Sequence, residues 1–324
     1  NFVRWLLERD GQSHKVAKVV VLDALTYAGN LANLEGLEGR PDYRFVKADI
    51  RDAAAVQEVL STEKIDTTVN FAAESHVDRS IIDPLAFVRT NVEGTQVLLN
   101  AAKDAGVKRF IYASSSSVYG VKEEDKVTEE LSLEPLTDYS KFKAMCEEDL
   151  EAERAPGFTC VTIRPATVCG YAPRLRLDLS VNILTNFAVN KGFIKVFGGD
   201  QLRPNIHIDD MVDAYLLLLE ADDAKVDGKI FNAGYENHSI GDIAKMVRSV
   251  VGKDVDIKVE PTNDNRSYRV SSEKIKRELG FAAKRTIEDA VISLKEAFDA
   301  GKIPNSFDDD IYFNIKRMQN LKLA

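Results

Sequence analysis

The sequence predicts an α/β protein built on a doubly wound parallel sheet, with a second, smaller α/β domain beside it. Three observations support this fold class. Short β-branched runs alternate with segments of helical periodicity, and the character of the sequence changes after Gly170. A chain of 324 residues that is 44% hydrophobic is also long enough to bury a large core.

The predicted strands are short runs rich in β-branched residues. They cover Lys18–Leu22, Tyr43–Lys47, Thr67–Phe71, Arg109–Ala113, Thr159–Arg164 and Lys229–Asn232. Between them, Ala53–Leu60 and Val88–Ala102 carry apolar residues at helical spacing, which predicts crossover helices. Strands and helices that alternate in this way favour a parallel sheet.

The smaller domain is predicted from two pieces of the chain. Arg, Asp and Asn residues interrupt the segment from Gly170 to Asp210, and the sequence from Gly241 onward is highly charged and mostly helical in pattern. We therefore assign residues 1–170 and 208–234 to the larger domain, and residues 171–207 and 235–324 to the smaller one. In open sheets of this type, ligands bind beyond the carboxyl ends of the strands.

The chain begins with a helical pattern, because Phe2, Leu6 and Leu7 group around Trp5. A dinucleotide-binding fold normally opens with a strand and a glycine-rich turn whose amides hold the pyrophosphate. No GxxGxxG motif occurs in this sequence. We expect Asn1–Gly11 to be the helix that follows this turn, with the first strand and the glycine loop lying upstream.

Composition argues against several classes of protein. The net charge of −9 is spread along the chain, which disfavours a nucleic-acid partner. No apolar run is long enough to span a membrane and no signal pattern is present, so we expect a cytoplasmic protein with no membrane partner. The cysteines Cys146, Cys160 and Cys169 form no CxxC pair, which predicts core thiols and no metal site.

Three strand ends carry residues that suit a dinucleotide. Asp23 closes the first predicted strand, where a carboxylate can accept both hydroxyls of an adenosine ribose and disfavours the phosphate of NADP. A turn-forming role is the alternative for this residue. Lys47–Asp52 and Asn70–Ser75 close the next two strands and place small residues where a flat cofactor could lie.

The strongest local signal is a run of serines, Ser114–Ser117, at a strand end, followed by Tyr139 and Lys143 one helical turn apart. At this spacing the ammonium group can approach the phenol and lower the tyrosine pKa from its usual value of about 10. Tyr139 could then act as a general base, and Ser115 could steady the developing oxyanion. Tyr-x-x-x-Lys alone is more often a solvated helix face, but the serine run upstream favours a hydride-transfer site.

Together these motifs resemble the extended short-chain dehydrogenase/reductases that act on nucleotide sugars, a family with a Rossmann-type fold. The similarity covers almost the whole chain. Asp23–Asn30 (DALTYAGN) and Ala72–Ser80 (AAESHVDRS) especially resemble the dTDP-glucose 4,6-dehydratase branch.

The resemblance implies NAD as the cofactor and a catalytic triad of Ser115, Tyr139 and Lys143. It implies cofactor contacts from Asp23, Asn30, Asp49, Ile50, Phe71, Ala72, Ala73, Ser75, Asn91, Tyr139, Lys143 and Pro165. It implies nucleotide-sugar contacts from Ser75, Ser115, Ser116, Asn182, Arg203 and Arg266. A homodimer that pairs the helices bearing Asn91 and Tyr139 is also implied.

Arginine residues suit the diphosphate of such a substrate, because their forked donors match phosphate oxygens. Surface solvation is the alternative for each of them. We favour solvation for Arg174, Arg176 and Arg269, and regard the two roles as equally supported for Arg203. Thr167 stands where many epimerases have asparagine, which leaves the sugar and the base of the nucleotide open.

One departure from the dehydratase pattern bears on the reaction. In the dehydratases the catalytic Ser/Thr is followed by an Asp-Glu pair that eliminates water, whereas this sequence has Ser116 and Ser117. A serine cannot readily replace a group that must exchange protons near neutral pH. We therefore predict an NAD-dependent 4-epimerase of a nucleoside-diphosphate hexose. A 4,6-dehydratase is the alternative enzyme, and a non-catalytic NAD-sensing regulatory protein is the alternative from another class.

Overall fold

The computed structural model describes residues 1–8, 16–76, 79–80, 83–262 and 267–321. Arg266, a predicted substrate contact, lies outside the described residues. Val77 and Asp78, which belong to the motif that follows Ala72, lie outside them as well.

The strands are numbered in chain order. They are β1 (Val19–Asp23), β2 (Tyr43–Lys47), β3 (Thr67–Asn70), β4 (Arg109–Ala113), β5 (Thr159–Pro165), β6 (Thr167–Cys169), β7 (Phe193–Phe197), β8 (Leu202–His207), β9 (Lys229–Ala233), β10 (Glu236–Ser239) and β11 (Asp256–Glu260). The predicted strands of the larger domain agree with β1 to β5 and β9 to within one residue at each end.

The central sheet is parallel and has the strand order β3-β4-β5-β9. Strands β1 and β2 form a second parallel ladder, in which Val19 pairs with Tyr43 and Asp23 with Lys47. Within the described part of the chain, this ladder is not hydrogen-bonded to the central sheet. The predicted parallel α/β architecture is therefore confirmed, and its strands divide into two ladders.

The helices are α1 (Phe2–Glu8), α2 (Ala53–Thr62), α3 (Pro84–Phe87), α4 (Gly94–Asp104), α5 (Asp138–Ala152), α6 (Ser180–Lys191), α7 (Ile208–Glu220), α8 (Asp223–Val226), α9 (Ile240–Val251), α10 (Glu273–Leu279), α11 (Ile287–Asp299) and α12 (Asn314–Asn320). A π-helical turn, Val88–Glu93, joins α3 to α4. The crossover helix predicted over Val88–Ala102 is thus a π turn followed by an α-helix. The N-terminal helix is present over Phe2–Glu8.

The remaining strands belong to the second half of the chain. Strand β8 lies between β10, to which it is antiparallel, and β6, to which it is parallel. Strands β7 and β11 form a separate parallel pair. Helices α6, α9 and α11 enclose a core of their own with this pair, to which Leu184, Ile194, Val247 and Val291 contribute.

The main core lies against the central sheet and draws on both halves of the chain. Ile111 and Val161 from the sheet share one apolar cluster with Val270, Ile275 and Phe281. The C-terminal piece assigned to the smaller domain therefore also packs against the larger one. The domain boundaries stay a prediction. Cys146, Cys160 and Cys169 are buried and unpaired, as their spacing predicted.

Candidate active site

The serine run follows strand β4 directly, and so it lies at the carboxyl end of the central sheet. Ser115 caps a short 3-10 helix, Ser116–Tyr119, by accepting a hydrogen bond from the Ser117 amide at 3.2 Å. Gly120 ends this helix with a positive φ of 73°, and a Cβ there would collide with the carbonyl oxygen of Glu134. Glycine is therefore required where this short helix ends.

Helix α5 carries both other members of the predicted triad. Thr137 caps it by accepting a hydrogen bond from the Ser140 amide at 3.3 Å, which places Tyr139 in the first helical turn. Lys143 is one turn further on, and its Nζ lies 6.0 Å from the centroid of the Tyr139 ring. Lys143 and Tyr139 are therefore neighbours, as their spacing of four residues predicted, and Ser115 acts on the same tyrosine. The catalytic roles of the three residues stay predictions.

Lys143 is buried among apolar and aromatic groups. Its Nζ donates to the Ala113 carbonyl at 2.6 Å and lies 4.7 Å from the centroid of the Tyr112 ring. Burial lowers its pKa from 10.5 to about 8, because the charged form loses its hydration. The ammonium group is thus held at the end of β4 by the backbone of the strand that carries the serines.

The pKa of Tyr139 differs from the sequence-based expectation. Burial raises it to about 12, against the opposing effects of a hydrogen bond with Ser115 and the charge of Arg176. The sequence-based prediction that Lys143 lowers the Tyr139 pKa is therefore wrong, since desolvation of the phenolate has the larger effect.

A buried ion pair joins helix α5 to strand β5 close to the triad. Glu147, one turn beyond Lys143, contacts Arg164 of strand β5 with an Nη2–Oε2 distance of 2.5 Å, and both side chains are at most 4% exposed. Arg164 also donates to the Tyr119 hydroxyl at 2.7 Å, and Glu147 accepts a hydrogen bond from Ser114. Sequence reasoning missed this network, although Tyr139, Lys143 and Glu147 share one helical face at a spacing of four.

Several predicted cofactor residues occupy the ends of β1 to β3. Asp23 is exposed at the end of β1, and its Oδ1 accepts a hydrogen bond from the Leu25 amide at 2.7 Å. Asn30 caps the next 3-10 turn through the Ala32 amide at 3.0 Å. Asp49 pairs with Arg51 at 2.6 Å, and this hydrogen bond keeps the pKa of Asp49 below its ordinary value.

The apolar members of the predicted cofactor set differ in exposure. The Ile50 side chain is buried under Gly94, where a Cβ would lie 2.7 Å from Ile50 Cδ1, so only its backbone could meet an adenine ring. Phe71 is 47% exposed at the end of β3, with its ring 4.7 Å from that of Tyr215. Ala72, Ala73, Ser75 and Pro165 are partly buried at strand ends.

Asn91 forms a clamp in the π-helical turn. Its Oδ1 accepts from the Glu74 amide at 2.8 Å, and its Nδ2 donates to the Glu74 carbonyl at 2.9 Å. The Cys146 thiol of α5 donates to the Asn91 carbonyl at 3.0 Å. The Asn91 side chain thus holds the segment after β3, and its backbone carbonyl links the same turn to the helix that carries Tyr139.

The residues predicted to contact the substrate differ in their burial and in their hydrogen bonds. Ser116 is only 2% exposed, so its side chain faces the protein interior. Asn182 is 3% exposed and bonds the backbone of the loop before α6, through the Gly170 amide and the Arg176 carbonyl. Arg203 lies on β8, opposite His238 of β10. Contacts of these residues with a nucleotide sugar stay predictions.

The loop Arg174–Asp178 approaches the triad, which the surface interpretation of its arginines did not foresee. Arg174 donates to Asn314 at 2.6 Å, and burial lowers its pKa. Arg176 bonds Asp178 at 2.9 Å and acts electrostatically on Tyr139. Both arginines are thus partly buried and bonded to protein groups, and a contact of either with a diphosphate stays a prediction. The alternation Arg-Leu-Arg-Leu-Asp was the available signal, because Leu175 and Leu177 are buried and turn the charges to one face.

Two further properties of the described residues bear on function. No group of three or more His, Cys, Asp or Glu side chains among them is arranged to hold a metal ion. None of the helices described here has the length and apolar character needed to cross a membrane.

The third arginine that we interpreted as solvated is Arg269. It forms an ion pair with the highly exposed Asp125 at the surface.

Comparison with known proteins gives consistent similarities. Residues 2–234 match the NAD dependent epimerase/dehydratase family. The low-salt glycan biosynthesis protein Agl12 of Haloferax volcanii is 35% identical over 90% of this chain and 92% of its own length.

Two solved structures are similar over nearly the whole chain. A dTDP-glucose 4,6-dehydratase from Streptomyces venezuelae, with NAD bound, has a TM-score of 0.82 at 30% identity, covering 94% of this chain and 95% of the other. A UDP-glucose 4-epimerase from Thermotoga maritima has a TM-score of 0.80 at 25% identity, covering 93% and 95%.

Proposed function

Because the chain belongs to the NAD-dependent epimerase/dehydratase family, we propose that it is a 4-epimerase of a nucleoside-diphosphate hexose. The observation that carries this proposal is the chemistry of the two positions after Ser115. Ser116 is buried, and Ser117 makes hydrogen bonds to other hydroxyls. Neither can exchange protons as a carboxylic acid does, so elimination of water lacks its acid–base pair.

The described residues fit NAD. An exposed carboxylate, Asp23, ends β1, small residues follow β3, and Lys143 lies at the end of β4. NAD, when bound, accepts a hydride from carbon 4 of the sugar and returns it. We propose that Asp23 binds the adenosine ribose and that Lys143 binds the nicotinamide ribose.

The side chains of the protein would transfer the proton and stabilise the developing charge. Tyr139 takes the proton of the 4-hydroxyl as the oxidation proceeds, and it returns this proton when the sugar is reduced on its other face. Ser115 donates a hydrogen bond to the same oxygen and stabilises its developing charge. The charge of Arg176 favours the phenolate of Tyr139, which must form despite the burial that raises its pKa.

A 4,6-dehydratase is the second candidate. It is supported by the similarity to the Streptomyces venezuelae enzyme over 94% of the chain. Both reactions begin with oxidation at carbon 4, and so the same Ser115, Tyr139 and Lys143 would serve either one. The candidates differ in the fate of the 4-keto sugar.

Product identity therefore tests the proposal. The full chain would be incubated with catalytic NAD and a panel of UDP-, dTDP-, GDP- and CDP-hexoses, with either a hydroxymethyl or a carboxylate group at carbon 6, and followed by proton NMR. We expect a 4-epimer that interconverts with its substrate, and no turnover by Tyr139→Phe. A 4-keto-6-deoxy product would establish the dehydratase instead. NAD binding without turnover of any sugar would support a non-catalytic NAD sensor.

We also propose that the protein is a homodimer through the helix that bears Asn91, which begins with α3, and through α5, which bears Tyr139. Leu85 on α3 is 65% exposed, Met145 on α5 is 46% exposed, and Leu136 in the loop before α5 is 56% exposed. Exposed apolar patches are typical of protein–protein contacts. The expected cytoplasmic location stays a prediction.

A further inference from the structure

Four side-chain hydroxyls form a continuous chain from the cap of α5 to the predicted catalytic serine. The oxygens of Thr137 and Ser140 are 3.0 Å apart, and those of Ser140 and Ser117 are 2.8 Å apart. The Ser117 and Ser115 oxygens are also 2.8 Å apart. Each distance is within hydrogen-bonding range.

The direction of this chain follows from counting hydrogens. A hydroxyl carries one hydrogen and two lone pairs. Ser140 donates its hydrogen to Ser117, so the hydrogen between Thr137 and Ser140 must come from Thr137. Thr137 Oγ1 in turn accepts from the Ser140 amide at 3.3 Å, which fixes this end of the chain by backbone geometry.

At the other end, the hydrogen of Ser117 points to Ser115. Within the described residues, the Ser117 hydroxyl contacts only Ser140 and Ser115, and Ser140 already fills one of its lone pairs. If Ser115 donated to Ser117, the Ser117 hydrogen would have no acceptor in this part of the protein. Donation from Ser117 to Ser115 instead leaves the Ser115 hydrogen for Tyr139, where a hydrogen bond from Ser115 opposes the rise in the Tyr139 pKa.

Ser115 can then act only as a hydrogen-bond donor toward the site. Its oxygen accepts from both the Ser117 hydroxyl at 2.8 Å and the Ser117 amide at 3.2 Å, which occupies its two lone pairs. Only its hydrogen is available to Tyr139 and to the reacting oxygen of a sugar. Hydrogen bonds in a chain polarise one another, which makes the last donor stronger.

We propose that Thr137, Ser140 and Ser117 are positioning residues that make Ser115 a fixed hydrogen-bond donor toward Tyr139 and the oxygen at carbon 4 of the sugar. The assignment of the sugar oxygen rests on the proposed function. The orientation of Ser115 is a property of this chain's own residues and does not depend on the reaction.

The role predicts a specific pattern for Ser117→Ala. Without the Ser117 hydroxyl, Ser115 regains a free lone pair and can rotate, so part of the population presents an acceptor to the reacting oxygen. We expect kcat to fall about tenfold, the effect of one misdirected hydrogen bond at a developing charge, with KM changed less than about twofold. Ser140→Ala should show a smaller decrease in the same direction.

Two variants separate positioning from stability. Ser117→Thr keeps the hydroxyl and should restore most of kcat. Ser306→Ala removes a different buried hydroxyl, which donates to Asn186 at 2.7 Å in another part of the fold, and should leave kcat unchanged. A loss of kcat in Ser306→Ala as large as that in Ser117→Ala would overturn the proposal. Failure of Ser117→Thr to recover activity would do the same.

Crystal structures of the NAD complex give a readout that requires no sugar. We expect one rotamer of Ser115 in the unaltered protein and at least two in Ser117→Ala. A single unchanged rotamer in both proteins would refute the positioning role. If no sugar in the panel reacts but Ser115 becomes mobile in the variant, the proposed function fails and the positioning role stands.

Discussion

At the scale of single residues, Lys143 combines a role in the site with a cost to the fold. Its side chain is 3% exposed, and burial lowers its pKa from 10.5 to about 8. Between these two values the native state binds fewer protons than the unfolded chain. The penalty of burying the charge is therefore fully present below about pH 8 and disappears as the pH rises toward 10.5.

This linkage predicts a pH-dependent difference between the unaltered protein and Lys143→Met. Relative to the variant, the unaltered protein should gain free energy of unfolding between pH 8 and 10.5, on the order of 3 kcal/mol, since each pKa unit is about 1.4 kcal/mol. Urea unfolding at several pH values measures it. Lys141→Met, an exposed neighbour on α5, is the control and should show no such trend. Parallel pH curves for Lys143→Met and the unaltered protein would contradict the burial argument.

At the scale of secondary structure, the π-helical turn Val88–Glu93 determines how the strand ends meet the catalytic helix. The turn directs Asn91 at the backbone of Glu74, and it directs the Asn91 carbonyl at the Cys146 thiol of α5. π turns of this kind frequently mark functional sites. The segment after β3, where NAD is proposed to lie, is thereby tied to the helix of Tyr139.

Asn91→Ala should loosen this segment, because both backbone groups of Glu74 lose their partner. We expect the affinity for NAD to fall about tenfold, which corresponds to about 1.4 kcal/mol. Isothermal titration calorimetry measures the change. Asn100→Ala is a matched control, since Asn100 is exposed on α4 and bonds only Gln96 among the described residues. Equal affinities of Asn91→Ala and Asn100→Ala for NAD would rule out the clamp.

At the scale of the whole molecule, distant parts of the chain meet around the site. Asp178 accepts hydrogen bonds from Arg176 and from the amide of Asn314, which begins α12. Arg317 of α12 donates to the Tyr27 carbonyl in the loop that follows Asp23. The C-terminal segment thus connects the loop beside Tyr139 with the loop beside the proposed ribose site.

The proposed homodimer makes a prediction at the same scale. Leu85→Glu combined with Met145→Glu places charges on the apolar faces of α3 and α5, where desolvating them on association is costly. Light scattering should show a dimer for the unaltered protein and a monomer for this double variant. Ile292→Glu, at an exposed apolar position on α11, is the control and should remain dimeric. A monomeric unaltered protein would exclude this interface.

Much of the fold and the centre of the site could be predicted from the sequence, because local patterns encode them. Strands β2 and β4 have the predicted bounds, since runs of β-branched and aromatic residues specify buried strands. Tyr139 and Lys143 lie together because a spacing of four residues is a property of any helix. The serine run was placed at a strand end, where parallel sheets carry their ligands.

The tertiary structure decided what depends on burial and on neighbours distant in sequence. Desolvation in the folded protein raises the pKa of Tyr139, and packing brings the charge of Arg176 close enough to act on it. The tertiary structure also paired Glu147 with Arg164 and aligned Thr137, Ser140 and Ser117 toward Ser115. The sequence by itself determined which groups are present and their spacing within each helix and strand. Their environment, and hence their electrostatics, arises only where separate elements pack together, because burial removes water and brings distant side chains within hydrogen-bonding distance.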